Sequence, residues 1–317
     1  MWRTQTRREF LVTSTLLGAA ACTRGRTSAA ATPRALPPLG FSTLGAPSWS
    51  WIRILDAATE SGFETLELRG IEGEMDLSKV PALAPSRIAD ARRELADRGL
   101  RVVCLGSSAN MHEFDPAKRA AQFAEARRFV ALAQALGAPY VRVFPNQWVQ
   151  GVERERVLAQ IVAGLRELGT HAREHGVTIL VESHGEFTDS ATLLAVLEGA
   201  DSPAIALLWD AHHTFVSGGE SPEESVRRLG RWIRHVHLKD SRPEGTGRRY
   251  VLTGTGNVPV RRQVEALLQL GYAGAYSFEW EKRWHPEIEA PEIAIPHFAA
   301  TTRAWLREAL PNGTRLG

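Results

Sequence analysis

From residue 39 onward, short apolar runs rich in β-formers alternate with longer amphipathic stretches. The runs predict strands over 39–44, 63–69, 100–106, 140–144, 178–182, 205–210, 233–240 and 275–281. Between them, apolar positions recurring every three to four residues predict helices over 51–61, 86–98, 116–136, 153–175, 189–197, 222–229 and 260–270. A last helix over 291–310 should cover the final strand. Gly62, Gly99, Gly137 and Gly176 each stand where a helix should stop, and the next strand begins almost at once. Eight strands, each followed by helical periodicity, predict an α/β fold, a single-domain (β/α)8 TIM barrel, rather than an open sheet.

The period of two along each strand places the side chains. Leu180, Glu182 and His184 share one face, opposite Ile179 and Val181. Asp210 shares a face with Leu208, opposite Leu207 and Trp209. His235 and His237 lie opposite Val236 and Leu238. Ser277, Glu279 and Glu281 lie opposite Tyr276, Phe278 and Trp280. The polar candidates thus sort to the lumen side of a barrel and the apolar ones to the helix side. Parallel strands gather their C-terminal ends at one face, where such a barrel builds its active site. Three carboxylates and a histidine at four successive strand ends suit a divalent metal holding an oxygen-rich substrate. The competing explanation is a set of buried ion pairs. A buried carboxylate costs several kcal/mol unless paired or metal-bound, and Arg142 can serve one carboxylate, not three.

Composition narrows the field. The 317 residues carry a formal net charge of +2, so the total shows no nucleic-acid footprint. Two cysteines, Cys22 and Cys104, permit no disulfide framework within the barrel, and Cys104 sits in an apolar strand as an inert core thiol. The N-terminus differs from the rest. Arg7 and Arg8 precede a short apolar stretch, Leu11 to Ala21, too short to span a bilayer. Residues 1–31 therefore read as a twin-arginine signal peptide, with export to the periplasm or the cell exterior. Cleavage falls either before Cys22, which would leave a lipid-anchored protein, or after Ala31. Residues 32–38 form a linker, 39–310 the barrel and 311–317 a tail. The membrane is a partner only through a lipid at Cys22, and association with further copies of the chain is left open.

The segments Val181-Glu-Ser-His184, Trp209-Asp-Ala-His-His213, His235-Val-His-Leu-Lys-Asp240, Gly254-Thr-Gly256 and Phe278-Glu-Trp-Glu281, in this order, resemble the xylose-isomerase-like TIM-barrel superfamily of sugar isomerases and epimerases. The resemblance covers nearly the whole chain after Leu39. It implies one divalent metal (manganese first, with magnesium, cobalt or zinc as alternatives) held by Glu182, Asp210, His237 and Glu279, with Glu281 able to substitute for Glu279. It implies Glu182 and Glu279 as the catalytic pair, abstracting a proton α to a carbonyl and returning it through a metal-stabilised enediolate. His213 and His184, with Lys239, Glu281 and His112, are the expected substrate-binding residues. The substrate is expected to be a small free sugar, keto-sugar, polyol-derived ketone or glycoside; export argues against a phosphorylated sugar, and the stretch Arg142-Val-Phe-Pro-Asn146 shows no obvious phosphate cradle. A lyase or hydratase acting on a 3-keto-glycoside would use the same site. A non-catalytic secreted sugar-binding lipoprotein is the reading outside enzymes. Phosphodiester cleavage would need more metals and more histidines from strands two to four, where only His112 stands. Trp49, Trp51, Trp148 and Trp284 are open to either ring stacking or packing.

Overall fold

The computed structural model describes residues 36–310, so the signal-peptide, linker and tail expectations fall wholly or largely outside the described residues. Eight parallel strands close into a barrel: β1 (Leu39–Ser42), β2 (Thr65–Leu68), β3 (Arg101–Asn110), β4 (Tyr140–Phe144), β5 (Thr178–Glu182), β6 (Ile205–Asp210), β7 (Ile233–Leu238) and β10 (Tyr276–Phe278). The ring closes through β1, which pairs β2 on one side and β10 on the other. Between β7 and β10 the antiparallel hairpin of β8 (Asp240–Glu244) and β9 (Gly247–Val251) stands apart from the barrel. The strand predicted over 233–240 therefore stops at Leu238, and Asp240 starts the hairpin instead. The Asp240 carboxylate accepts backbone N–H bonds from Gly254, Gly256 and Val258 at 2.9, 2.9 and 3.2 Å, which folds the Gly-Thr-Gly loop onto the strand end.

Local signals explain the helices. The helix Pro116–Leu136 starts at Asp115, whose side chain accepts from the Lys118 N–H, with proline in the first turn. It ends at Gly137, whose φ of 76° is the left-handed conformation a C-terminal cap needs. The helices Trp51–Glu60, Arg154–Glu174, Val260–Leu270 and Pro291–Ala309 stand within two residues of their predicted bounds. A short helix, Ala211–Val216, was not foreseen, because one and a half turns carry too little periodicity to read.

Two apolar layers separate as parity demands. Cys104, Leu180, Ala206 and Leu208 cluster inside the barrel. Ile179, Val181, Leu207, Trp209, Val236 and Phe278 belong to the larger layer between strands and helices. The lumen is thus plugged by apolar side chains at one end and carries its polar groups toward the other. Burial pushes the Cys104 thiol well above its usual range, in keeping with an inert core group. Among the described residues no helix is long and apolar enough to cross a membrane.

Candidate active site and metal centre

Glu182 and Asp210 are the last residues of β5 and β6, and His237 lies one residue before the end of β7. Glu279 follows directly on β10, a strand shorter than predicted, so Glu279 and Glu281 sit just beyond it. These four elements bring Glu182, Asp210, His237 and Glu279 together, with one ligand atom from each inside a 4.8 Å sphere of mutual distance. His237 Nδ1 lies 3.6 Å from Glu182 Oε1, 3.8 Å from Asp210 Oδ2 and 3.2 Å from Glu279 Oε2. That nitrogen is buried and has no hydrogen-bond partner. An imidazole nitrogen facing three carboxylates, in a set of one imidazole and three hard oxygens, is a donor set that suits a divalent metal once that nitrogen gives up its proton.

The other face of His237 is held by a residue the sequence reading missed. Glu67, in β2, is fully buried and accepts from His237 Nε2 at 2.7 Å and from His235 Nε2 at 2.9 Å. Ser42 Oγ donates to its second oxygen at 3.0 Å. Burial pushes the Glu67 carboxyl up, but the charge of His237 and the two imidazole bonds outweigh it and hold the acid well below the usual carboxylate range. This carboxylate–imidazole contact fixes the ring so that Nδ1 faces the acids. The signal was present in Thr65-Leu-Glu-Leu68, a charged residue in a strand that is otherwise buried. Glu67 stands on β2, remote in sequence from the strands that carry Glu182, Asp210, His237 and Glu279.

Two cations and an imidazole face the acids. Arg142 Nε lies 3.1 Å from Glu182 Oε2. Lys239 is fully buried; its Nζ lies 2.5 Å from Asp210 Oδ2 and 3.1 Å from Glu281 Oε1, and it also contacts Glu279. His213 Nε2 lies 3.3 Å from Asp210 Oδ2. The unforeseen helix explains this last contact. Asp210 Oδ1 caps it by accepting the N–H groups of His212 and His213, both at 3.0 Å, so the same carboxylate anchors His213 and offers its other oxygen to the cluster. Burial lowers the His213 imidazole to about 4, against the pull of Asp210, so it is neutral at physiological pH. The two acids after β10 part company. Burial raises both, but His237 and Lys239 hold Glu279 below its usual range, whereas Glu281 is pushed up to about 6.

The cluster opens on a pocket of about 280 Å³ lined by Leu44, Arg69, Arg142, Phe144, Glu182, His184, His213, Glu279, Glu281 and Trp284. His184 is positioned by Asn146 Oδ1 at 2.8 Å from its Nδ1, and Asn146 takes a left-handed φ of 70° that turns its amide inward. Lys239 and His112 do not line this pocket: Lys239 is enclosed by the acids, and His112 lies outside. Trp49 and Trp51 are buried and donate to Glu292 and Glu94, so they pack. Trp284 is 54 % exposed at the pocket rim. Larger grooves of about 600 Å³ lie at the other end of the barrel, around Tyr140 and Arg234. They sit at the strand N-termini and gather no comparable set of acids and imidazoles.

The family model for the xylose isomerase-like TIM barrel matches residues 55–309, and the chain belongs to that family. It is an enzyme of this superfamily, whose characterised relatives include epimerases and dehydratases. The uncharacterised protein YihM of Escherichia coli K12 is 24% identical over 269 residues, 77% of this chain and 76% of that one. An inosose dehydratase of Geobacillus thermodenitrificans is 28% identical over 166 residues, 47% of this chain and about half (53%) of the relative. The L-ribulose-5-phosphate 3-epimerase UlaE of Salmonella heidelberg is 24% identical over 277 residues, 85% of this chain and 94% of that one. A solved L-ribulose 3-epimerase superposes with a TM-score of 0.71 at 20% identity, covering 86% of this chain and 96% of that one, which shows the shared fold.

Proposed function

We propose that this chain is a divalent-metal-dependent sugar isomerase or epimerase that removes a proton α to a carbonyl and returns it. The observation that carries this reading is the buried Glu182–Asp210–His237–Glu279 group with its unpartnered imidazole nitrogen, opening on a pocket of sugar size. Glu182, Asp210, His237 and Glu279 would hold a divalent metal, which would supply the positive charge that makes a C–H beside a substrate carbonyl acidic. Glu182 and Glu279 are the two carboxylates placed to exchange that proton. Burial pushes the Glu182 carboxyl up, but the Arg142 charge and the His237 imidazole together outweigh it, so Glu182 stays ionised and able to accept a proton. Neutral His184 and His213 are placed to hydrogen-bond substrate hydroxyls. Manganese is the expected metal, with magnesium, cobalt and zinc as alternatives.

A second reading has its own observation. Glu281 lines the pocket with its carboxyl pushed up to about 6, so a fraction is protonated near neutrality. A dehydratase needs such a donor for the departing hydroxyl, and the match to inosose dehydratases supports it. The test is a panel of ketoses and cyclic polyol ketones in D2O with manganese, followed by NMR and mass spectrometry. Deuterium at the α carbon with an epimer or isomer as product supports the first reading; an unsaturated ketone and water support the second. Binding without exchange or product would leave a sugar-binding protein and sink both. Glu182→Gln and Glu279→Gln should each reduce turnover by about 10²-fold or more, and Glu281→Gln by less unless the enzyme is a dehydratase.

Export belongs to the same proposal. Arg7→Lys combined with Arg8→Lys is expected to hold the precursor in the cytoplasm, and unchanged export would remove the twin-arginine reading. Loss of membrane association in Cys22→Ala would identify a lipid anchor; no change would place cleavage near Ala31.

A further inference from the structure

Two arginines line the pocket beside the acid cluster, and their partners do not add up. Arg142, 1 % exposed, uses Nε on Glu182 and lays its guanidinium over the Phe144 ring at 3.8 Å. Its Nη1 is buried without a hydrogen-bond partner. Arg69, just past β2 and 7 % exposed, donates from Nη2 to the neutral Ser108 Oγ at 3.0 Å. Its Nη1 is likewise buried without a partner, and among the described residues no carboxylate oxygen lies within ion-pair distance of it. The two side chains converge over Gly106. A Cβ at that position would lie 2.7 Å from Arg142 Nη2 and 2.7 Å from Arg69 Cδ, so only glycine lets both arginines cross there.

This arrangement is costly by itself. A buried guanidinium with no directly paired carboxylate carries a desolvation penalty of several kcal/mol, which for Arg69 the more distant charges of Glu125, Glu182 and Glu67 offset only in part. A second guanidinium alongside adds repulsion; burial and then the Arg142 charge lower the Arg69 group to about 10. Guanidinium forks match the paired oxygens of carboxylate and phosphate. We propose that Arg69 and Arg142 form an anion subsite of the substrate pocket, so that the substrate is a sugar derivative bearing a carboxylate or phosphate group. The inference rests on the pocket being the sugar site, but it does not depend on which proton-transfer reaction occurs there. The anionic group sits on Arg69 and Arg142, while the hydroxyl and carbonyl oxygens face the acid cluster and the two neutral imidazoles.

The experiment is calorimetric titration of the manganese-loaded full chain with D-glucose, D-glucuronate and D-glucose 6-phosphate at low salt. At least one anion should bind about tenfold or more tightly than glucose, as expected for a charge-assisted contact. A larger excess for glucuronate assigns a sugar acid, and a larger excess for glucose 6-phosphate assigns a sugar phosphate. Arg69→Gln should abolish the excess, which separates the subsite from capture of the anion by the metal. Arg69→Lys should recover part of it, because the charge returns without the fork. The same anion should raise the melting temperature of the wild type and not of Arg69→Gln. Three anion-independent affinities within about twofold of one another, or an excess that survives Arg69→Gln, would overturn the assignment. Absence of turnover leaves this result standing and counts only against the proposed reaction, whereas turnover of neutral ketoses with no anion preference counts only against the subsite.

Discussion

Glu67→Gln tests whether the metal centre depends on the strand that faces it from across the lumen. In the wild type one carboxylate oxygen accepts from both His235 Nε2 and His237 Nε2, at 2.9 and 2.7 Å. The glutamine keeps the shape and one amide oxygen for the imidazoles, and its NH2 can donate to Ser42 Oγ, which now turns to accept. What is lost is the charge. Charge-assisted hydrogen bonds are roughly twice as strong as neutral ones, and a bond to a charged group contributes about 1.5–3 kcal/mol. Neutralising the acceptor therefore costs His237 about 1 kcal/mol of anchoring, before any loss of ring basicity. Changes in groups that orient a metal-binding histidine typically cost ten- to a hundredfold in metal affinity, or about 1.4–2.7 kcal/mol. The expected result is manganese affinity weakened by at least about tenfold, with circular dichroism unchanged. The assay is competition with a fluorescent chelator, run beside His235→Gln, which leaves the Glu67–His237 contact in place and should have a smaller effect. Affinity within about twofold of wild type for Glu67→Gln would refute the idea that Glu67 orients the site.

Elemental analysis should find one metal per chain, chelator should abolish turnover, and manganese or cobalt should restore it best; His237→Ala should lower metal affinity by roughly ten- to a hundredfold or more. Full activity in stripped protein would overturn the metal reading. In the metal-free chain burial pushes His237 down, but Glu279 and Glu67 push it further up, so the ring holds its second proton at neutral pH. Metal must displace that proton from Nδ1, so affinity should rise with pH, by at most about tenfold per unit, and fall on acidification. A pH-independent affinity between pH 6 and 8 would contradict the assigned ligand. Lys239→Met removes the ammonium that touches Asp210, Glu279 and Glu281. Breaking such a buried set typically costs about 3–5 kcal/mol, so the melting temperature in chelator should fall by several degrees, and added metal should recover most of it. Equal stability of the two proteins in chelator would show that Lys239 does not hold the cluster together.

The alternation of strand and helix, the closing glycines and the period of two determined the barrel and the lumen side of Glu182, Asp210, His237 and Glu279. Those signals are local: parity fixes which way a side chain points, and one barrel topology gathers successive strand ends at one face. Parity also marked His184 and the family resemblance marked His213, and the structure places both on the pocket wall. The tertiary structure alone decided who faces whom across the lumen. Glu67 is 168 and 170 residues from the two histidines it holds, and no spacing along the chain connects them. Nor does sequence tell that the Lys239 ammonium turns in among the acids, that Glu279 and Glu281 acquire opposite pKa shifts from it and its neighbours, or that Arg69 and Arg142 converge over Gly106. Periodicity assigns a residue to a face, whereas partner, distance and burial depend on strands far apart in sequence closing into one ring.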